Sequence, residues 1–450
     1  MHRSTRRLMS WSVAAALGGA SGQAAASAFQ LMEQNASGLG NAYAGQAASA
    51  QDASTIFFNP AGLTRIPGKQ AVGVLNVIKP VAEFTNTGST LAPLQTSIGG
   101  NGGDGGDWAY VPNGYLSWQL SPQLFVGVGM STPFGLKTDY DAGWAGRFHA
   151  LKSDLKTVNV NPSVAWKVND MVSIGGGVNY QYAKAELSNS VNYSAAAFGA
   201  GGLPALAAVG GPGREGVATV KGDDGAWGWN VGAMIDLSPA TRIGASYRSA
   251  VKFRLEGDAH FLNRPALLAA GLPDGPVYAD IKMPAIASLA VFHKLNPKWD
   301  LLADVSWTEW SNIPTLDIFR SSGTRLSTTP LNWKDTWRVG VGANFHVNSQ
   351  WTLRMGAAYD ESPVPDADRT PRVPDQDRKW LAIGAQYRWS KQLVFDVGYS
   401  HIFVKDASIN LCNAAQAAAN PAACGGKNNL VGTYSDNSVN IISAQMRLDF

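Results

Sequence analysis

Residues 337–347 read Trp-Arg-Val-Gly-Val-Gly-Ala-Asn-Phe-His-Val, and this stretch decides the fold class. Its odd-numbered residues are apolar, whereas its even-numbered residues are polar or glycine. The next three residues, 348–350, are Asn-Ser-Gln, which favour a tight turn, and residues 351–360 then alternate in the same way. Because successive side chains of a strand point to opposite faces of a sheet, the stretch predicts a β-hairpin with one apolar face.

The opposite face of this hairpin is polar and charged. It carries Arg338, Asn344, Arg354 and Asp360. A dry protein core cannot hold that many charges without a large desolvation cost. We therefore interpret the polar face as the lining of a lumen and the apolar face as a lipid-facing surface. The alternative is a soluble β-sandwich or propeller, whose strands are usually shorter.

Turn signals of this kind recur along the chain after about residue 70, and each separates two alternating segments. The six turns lie at 121–123, 169–171, 238–241, 296–298, 348–350 and 390–392. With one strand before them (about 70–84) and one after them (438–450), they predict fourteen strands. The connections between hairpins are much longer, for example 188–226, and short turns at one end with long loops at the other are typical of outer-membrane barrels.

The composition agrees with a barrel and excludes other classes of protein. Of the 450 residues, 45% are hydrophobic and 15% are charged, with a mean hydropathy of −0.09 and a net charge of +3. That hydropathy is too low for a bundle of membrane helices, and the charge pattern gives no sign of nucleic-acid binding. We therefore predict an all-β membrane protein, a 14-stranded antiparallel transmembrane β-barrel of the Gram-negative outer membrane.

The N-terminus predicts export. Three arginines precede a charge-free stretch over residues 8–20, and Ala24-Ala25-Ala26 suits cleavage before Ser27, so residues 1–26 are interpreted as a signal peptide. Export takes the two cysteines, Cys412 and Cys424, out of the reducing cytosol. We expect them to form a disulfide, with two free thiols as the alternative.

Residues 27–69 do not fit the barrel pattern. They are rich in Ala, Gly, Ser, Asn and Gln and show little alternation before Ile56. A barrel of fourteen strands leaves room in its lumen, so we predict that this stretch is a plug inside a barrel formed by residues 70–450. A loose periplasmic extension is the alternative, and it would expose apolar residues such as Phe57 and Phe58.

Several motifs resemble the FadL-type long-chain fatty-acid transporters. Phe29-Gln30-Leu31, residues 36–45 and Asn59-Pro60-Ala61 resemble the N-terminal hatch of that family. Residues 333–338, 360–365 and 374–380 are also similar to it. The resemblance covers the whole mature chain and implies a fourteen-stranded barrel with an N-terminal hatch, which the strand count reaches independently. The family also includes transporters of aromatic and other hydrocarbons.

The resemblance implies roles for residues of the hatch. Asn59, Pro60 and Ala61 would hold and gate it, since proline fixes φ and lacks an N–H, although an ordinary Asn-Pro turn is the alternative. Phe29 would be the third residue of the mature chain. In the family the N-terminus reaches the ligand pocket, which implies that Phe29 contacts the ligand.

Two long loops carry apolar residues suited to capturing a hydrophobic ligand outside the cell. Residues 193–209 are free of charge, and residues 259–272 are rich in leucine. The candidate ligand-binding residues of these loops are Phe198, Leu203, Leu206, Phe261, Leu262, Leu267 and Leu268. The alternative is that the two loops only pack on each other.

Lys334 and Arg338 are the candidate partners of a ligand carboxylate. They lie at the extracellular start of a strand, and Arg338 has the parity of the lumen face. Pairing with Asp335 or with nearby loop acids is an equally open alternative, because charges on strands are often structural.

The third strand, about 124–134, contains Gly127, Gly129 and Pro133. Proline removes a ladder donor and glycine weakens a strand. In the resembled family the third strand is kinked and leaves a lateral gap in the wall, which implies a lateral opening here. A simple frayed strand end at Pro133 is the alternative.

No metal-binding spacing, cofactor motif or catalytic constellation stands out in the sequence. We predict a non-enzymatic, monomeric channel for passive, plug-gated uptake of long-chain fatty acids, in contact with the lipid bilayer and lipopolysaccharide. No cofactor, metal or nucleic acid is expected. The alternatives are uptake of an aromatic or alkane hydrocarbon through the same architecture, an outer-membrane enzyme acting on lipid, and a structural or adhesive barrel.

Overall fold

The structure is a computed structural model that describes residues 28–450. The predicted signal peptide, residues 1–26, and Ser27 lie outside the described residues. Most of the described chain is strand. None of the helices within residues 28–450 has the length and apolar character that crossing a bilayer requires.

The strands are numbered in chain order. They are β1 (Lys69–Val81), β2 (Phe84–Asn86), β3 (Ala109–Gln119), β4 (Leu124–Ser131), β5 (Gly135–Asp139), β6 (Lys152–Lys167), β7 (Val172–Asn192), β8 (Glu215–Asp236), β9 (Thr241–Arg248), β10 (Val251–Leu262), β11 (Gly275–Met283), β12 (Ile286–Asn296), β13 (Trp299–Thr308), β14 (Thr315–Arg320), β15 (Arg325–Pro330), β16 (Thr336–His346), β17 (Trp351–Asp360), β18 (Arg378–Arg388), β19 (Leu393–Val404), β20 (Ala407–Leu411), β21 (Leu430–Tyr434) and β22 (Ser438–Asp449).

The helices are short, with one exception in an extracellular loop. The α-helices are Ala36–Leu39, Gln46–Ser49, Thr55–Phe58, Tyr193–Ala208, Ala414–Ala419 and Pro421–Cys424. The 3₁₀ helices are Pro60–Arg65, Ala266–Leu268, Trp310–Asn312 and Asp366–Asp368.

Fourteen strands pair antiparallel into a closed ring, as the sequence predicts. The ring runs β1, β3, β4, β6, β7, β8, β9, β12, β13, β16, β17, β18, β19 and β22, and it closes because β22 also pairs with β1. Each of the six predicted turns joins two neighbouring strands of this ring. The strand count and the antiparallel order are therefore confirmed.

The two faces of the ring strands divide as the alternation predicts. On β16, Trp337, Val339 and Val341 are each more than half exposed, whereas Arg338 between them is only 5% exposed. The terminal strand follows the same rule, with Ile442 59% exposed and Ser443 buried. The apolar face therefore points outward to lipid, and the polar face points into the barrel.

The strands on one side of the barrel rise well beyond the ring. β7 has 21 residues and β8 has 22, and they pair along their whole length. The predicted connection 188–226 is therefore too long, because the loop between these strands spans only 193–214. Outside the bilayer both faces of a strand meet water or loops, so the apolar alternation fades while the backbone ladder continues. β10, β11, β14 and β15 extend the same raised wall.

The third ring strand is interrupted. β4 pairs with β3 from Gln119↔Phe125 to Gly114↔Met130, and the ladder then stops. After Thr132 and Pro133 the chain resumes as β5, which pairs with β6 alone. The upper half of β3 therefore has no strand partner on this side, and the wall has a break between β3 and β5.

Candidate functional site

The N-terminal residues 28–66, here called the hatch segment, contact the inward faces of strands around the barrel. Asn41 donates hydrogen bonds to the carbonyls of Ala343 and Met355, at 3.1 Å each. Four strands farther around the ring, Asn76 of β1 donates to the carbonyl of Glu33 at 2.8 Å. Nearly all residues of the segment are buried. The segment therefore lies inside the ring and is tied to several of its strands.

Inward-facing glycines let the hatch segment approach the wall closely. A Cβ atom added at Gly232 would overlap the Asn59 side chain, and one added at Gly356 would overlap the Asn41 backbone. The glycines of the ring strands that face the segment in this way are Gly127, Gly129, Gly175, Gly232, Gly244, Gly340, Gly342, Gly356, Gly384 and Gly398. These ten glycines thus allow close contact between the wall and the hatch segment.

Asn59, Pro60 and Ala61 fix the hatch segment to β7 and β8. The fully buried Asn59 amide donates to the carbonyl of Ala47 at 2.7 Å and to that of Ala233 on β8 at 3.0 Å. Its side-chain oxygen accepts from the backbone N–H of Ala61 at 3.1 Å, and Pro60 opens the 3₁₀ helix. One side chain therefore joins two parts of the segment to the wall.

A buried charge network adds to this attachment. Arg354 of β17 pairs with Asp396 of β19, and both side chains are at most 2% exposed. Arg354 also donates to the side chain of Gln51 at 2.9 Å. On the segment itself, Asp52 accepts from Ser37 at 2.7 Å. Because these charges are buried, removing one partner would leave the other unsatisfied.

Phe29 lies in an aromatic cluster beside the break in the wall. Its ring centroid is 4.8 Å from that of Trp310, 5.5 Å from that of Trp333 and 6.0 Å from that of Phe134. All four rings are buried. Spacings and angles of this kind are favourable for aromatic pairs.

The backbone next to Phe29 fills the position that β3 leaves open. Gln30 pairs antiparallel with Phe134, the Leu31 N–H donates to the carbonyl of Pro133 at 2.9 Å, and the Gly135 N–H donates to that of Phe29 at 2.8 Å. The Ala28 N–H donates to the carboxylate of Asp375 at 2.9 Å. Residues 28–31, here called the tip, therefore occupy the break between β3 and β5.

An apolar cavity lies on the extracellular side of Phe29, within the raised wall. It encloses about 940 Å³ of empty space, including its open mouth. Its lining is aliphatic and aromatic over most of the surface, and Phe29 and Trp333 are part of it. Lys221 and Arg372 are the charged side chains among the lining residues. A cavity with this lining suits a hydrophobic ligand.

The predicted capture loops both pack on each other and leave apolar residues exposed. Leu206 of the helix Tyr193–Ala208 and Leu268 of the next loop are buried in one cluster. Phe261 is half-buried beneath Arg320. The side chains that remain exposed are Phe198 at 45%, Leu203 at 72%, Leu262 at 59% and Leu267 at 54%. Leu206 and Leu268 therefore agree with the interpretation that the loops pack on each other. Phe198, Leu203, Leu262 and Leu267 stay exposed, as capture of a ligand would require.

The structure places the two predicted carboxylate partners away from the apolar cavity. Arg338 pairs with Asp304 at 3.5 Å, donates to the carbonyl of Ala42 and stacks over the Trp380 ring. Lys334 is exposed and does not line the apolar cavity. Arg338 therefore makes an interstrand ion pair, as the alternative considered for it holds, but its partner is Asp304 on β13 and not Asp335. Arg338 therefore contacts the hatch segment and not the apolar cavity.

The predicted residues of the third strand separate into two groups. Gly127 and Gly129 lie within the paired part of β4 and face Ile56 of the hatch segment. Pro133 lies in the break itself and accepts the tip's hydrogen bond from Leu31. The two glycines thus leave space for the hatch segment, whereas Pro133 lies two residues after the end of β4.

Other residues of the site were missed by the sequence argument. Asp375 holds Ala28 and also accepts from Ser362 at 2.8 Å, and Trp310 packs on Phe29. Asp375 lies in one of the motifs that resemble the FadL-type family, but its partner is 347 positions away in sequence. No local sequence pattern indicates that Ala28 and Asp375 are in contact. The structure also joins Cys412 and Cys424 by a disulfide.

Comparisons with known proteins identify the family. The family model described as outer membrane protein transport protein (OMPP1/FadL/TodX) matches residues 17–450. The chain belongs to this family. Its place in the outer membrane follows from the family and from the lipid-facing barrel.

Individual members of the FadL family extend the comparison. The long-chain fatty acid transport protein of Escherichia coli O6:H1 is 31% identical over 396 residues, which cover 84% of this chain and 87% of that protein. The crystal structure of a FadL homologue from Pseudomonas aeruginosa has a TM-score of 0.85 at 27% identity and covers 94% of this chain and 100% of that one. A toluene transporter of Ralstonia pickettii, at 19% identity, has a TM-score of 0.62, covers 93% of this chain and 99% of that one, and shares the fold.

Proposed function

We propose that this protein takes up long-chain fatty acids or similar hydrophobic molecules by passive diffusion through a plugged barrel. One observation carries the proposal: the apolar cavity ends at Phe29, and the backbone beside Phe29 fills the break in the wall. A ligand that displaces this one aromatic side chain therefore acts directly on the segment that closes a lateral exit. The similarity to the long-chain fatty acid transport protein of Escherichia coli supports the ligand class.

The first step is capture from outside. The exposed side chains Phe198, Leu203, Leu262 and Leu267 offer an apolar surface next to the raised wall. An acyl chain that leaves water gains about 0.8 kcal/mol for each buried CH₂ group. This gain, which recurs in the apolar cavity, drives entry without any external source of energy.

The second step is release. The tip is held by backbone hydrogen bonds and by ring contacts of Phe29. An acyl chain that occupies the cavity competes with these ring contacts. Withdrawal of the tip would open the break between β3 and β5, and the ligand would leave sideways into the bilayer. The rest of the hatch segment, anchored by Asn59 and Asn41, stays in place and keeps water-soluble molecules out.

Uptake and binding of purified protein test this proposal. Oleate should enter proteoliposomes that contain the protein faster than it enters protein-free vesicles. Ala185→Trp fills the apolar cavity and should abolish both binding and uptake, whereas Ala444→Trp on the lipid-facing side of β22 is the matched control. Equal uptake by Ala185→Trp and the control would exclude the cavity from the pathway.

A neutral hydrocarbon is the second candidate ligand, favoured by the mostly aliphatic lining of the cavity. Displacement of a fluorescent acyl probe by oleate and by an alkylbenzene separates the two ligand classes. Tighter binding of the alkylbenzene would assign hydrocarbon uptake. In either case the proposed protein is a monomeric, non-enzymatic channel in contact with bilayer lipid and lipopolysaccharide, and no cofactor enters the mechanism.

A further inference from the structure

The barrel has a second interruption, at the place where the ring passes into the raised wall. β8 pairs with β9 up to Asn230↔Arg248, and it pairs with β10 only from Asp223 onward. Among the strands of residues 28–450, the intervening residues 224–229 of β8 pair with β7 alone. The chain that faces them, residues 249–255, contains the junction of β9 and β10. This stretch without a ladder is here called the β8–β10 gap.

Hydrogen bonds hold the β8–β10 gap at its two ends. At the lower end, the Ser249 N–H donates to the carbonyl of Trp229 at 2.9 Å, and the Trp229 N–H donates to Ser249 Oγ at 2.9 Å. At the upper end, the Arg254 N–H donates to the carboxylate of Asp224 at 2.9 Å, so a side chain takes the place of a ladder bond. Local opening costs least where few hydrogen bonds hold the backbone. The wall is therefore easier to widen here than along the continuous ladders beside it.

The inner side of the β8–β10 gap is apolar. Val251, Phe253 and Leu255 are buried there, in the same cluster as Phe29, and Leu255 also lines the apolar cavity. A Cβ atom added at Gly228 would lie 2.8 Å from Cγ2 of Val251. The Val251 side chain therefore covers β8 where the ladder is missing. Behind this side chain, apolar contacts continue as far as the cavity.

The outer side of the β8–β10 gap carries aromatic residues. Trp227 of β8 is 62% exposed and Trp229 is 49% exposed, and the ring of Tyr247 on β9 packs against Trp229 at 5.3 Å between centroids. Outward Trp and Tyr side chains of this kind mark the boundary between the bilayer and water. Backbone groups without a ladder are costly in hydrocarbon but can be hydrated at that boundary. The gap therefore faces the lipid at the extracellular boundary of the bilayer.

We propose that the β8–β10 gap is a lateral entrance, through which hydrophobic molecules dissolved in the outer leaflet reach the apolar cavity. An alkyl chain gains about 0.8 kcal/mol for each CH₂ group that leaves water, so such molecules collect in the lipid around the barrel. Displacement of Val251 from Gly228 joins the lipid to the cluster around Leu255 without a passage through water. The break at the tip, between β3 and β5, keeps its role in release. The inference deepens the proposed function and rests on it.

Photolabelling of the full-length protein in proteoliposomes tests the lateral entrance. One probe is a long alkane that carries a diazirine and is preloaded in the lipid, because its solubility in water is negligible. The other probe is a diazirine derivative of octanoate, added to the outer solution. Mass spectrometry measures the labelling of Leu255, Ala279 and Ile281, which line the apolar cavity.

A cross-link closes the entrance. Gly228→Cys with Val251→Cys places two sulfur atoms across the β8–β10 gap, at a spacing that a disulfide can span. Oxidation should lower cavity labelling by the lipid-borne probe severalfold, and reduction should restore it. Labelling by the water-borne probe should not change, because the mouth of the cavity stays open.

Matched variants control for damage to the barrel. Ser288→Cys with Ser306→Cys links β12 to β13 where the ladder is continuous, and its oxidation should leave the labelling by both probes unchanged. Reduced wild type controls for loss of the native disulfide. Val251→Ala removes the cover without a cross-link, and it should raise labelling by the lipid-borne probe alone.

The outcomes separate the two proposals. The lateral entrance is wrong if the water-borne probe labels the wild-type cavity and the lipid-borne probe does not. It is also wrong if the cross-link across the β8–β10 gap leaves lipid-borne labelling unchanged or lowers labelling by both probes equally. In these cases the uptake proposal stands. If neither probe labels the wild-type cavity, the uptake proposal is overturned, and the entrance with it.

Discussion

The hatch segment contains two regions that are attached to the barrel in different ways. Its body, here residues 35–65, is tied to strands around the ring by buried side chains such as Asn41 and Asn59, and it rests on inward glycines. Its tip, residues 28–31, is held by backbone hydrogen bonds to 133–135 and Asp375 and by the rings around Phe29. The same short segment is thus held by buried polar side chains in its body and by backbone hydrogen bonds and ring contacts at its tip.

Under the proposed function, this difference would let the barrel open while its lumen stays blocked. Local opening costs least where few buried contacts hold the backbone. Movement confined to the tip would then open the break beside β5, while the body stays in place.

The body should depend strongly on the buried pair of Arg354 and Asp396. Asp396→Ala leaves a buried, unpaired arginine, which costs about 3–5 kcal/mol. Hydrogen exchange of amides in residues 35–65 should accelerate accordingly. Asp170→Ala breaks the exposed pair with Lys167 in a tight turn and is the matched control, since exposed ion pairs contribute little to stability. Similar exchange in both variants would contradict the anchoring role.

Asn59→Ala removes the hydrogen bonds to Ala47 and Ala233 and leaves both carbonyls buried. We expect the body to be destabilised by about 1–3 kcal/mol while the barrel still folds. Oleate uptake should fall, because a displaced body obstructs the path from the cavity to the break. Gln350→Ala in an exposed turn serves as the control. Normal uptake by Asn59→Ala would remove the motif from gating.

Asp375→Asn weakens the acceptor of the Ala28 N–H and also the buried ion pair that Asp375 forms with Arg378 of the wall. Within the hatch segment it should affect the tip alone. A hydrogen bond to a charged group is worth about 1.5–3 kcal/mol, so exchange of the amides of 28–31 should rise roughly tenfold or more. The amides of residues 35–65 should be unchanged. Acceleration of both regions to the same extent would show that the two regions move together.

The sequence predicts the barrel well because its signal is local. The alternation in 337–347 indicates a strand and shows which of its faces is apolar, and the turn at 348–350 indicates a hairpin. The partners of Arg338 and Asp375 depend on contacts between distant parts of the chain, namely Asp304 and Ala28. Such pairings follow from barrel closure and from the docking of the hatch segment, which no local pattern encodes.

A cross-link between the tip and the wall tests the central claim most directly. Gln30 and Phe134 face each other as an isolated antiparallel pair flanked by hydrogen bonds, a geometry that brings two Cβ atoms close enough for a disulfide. Gln30→Cys with Phe134→Cys, oxidised in proteoliposomes, should stop oleate uptake, and reduction should restore it, with each single variant and reduced wild type as controls. Undiminished uptake by the cross-linked protein would contradict opening at the tip.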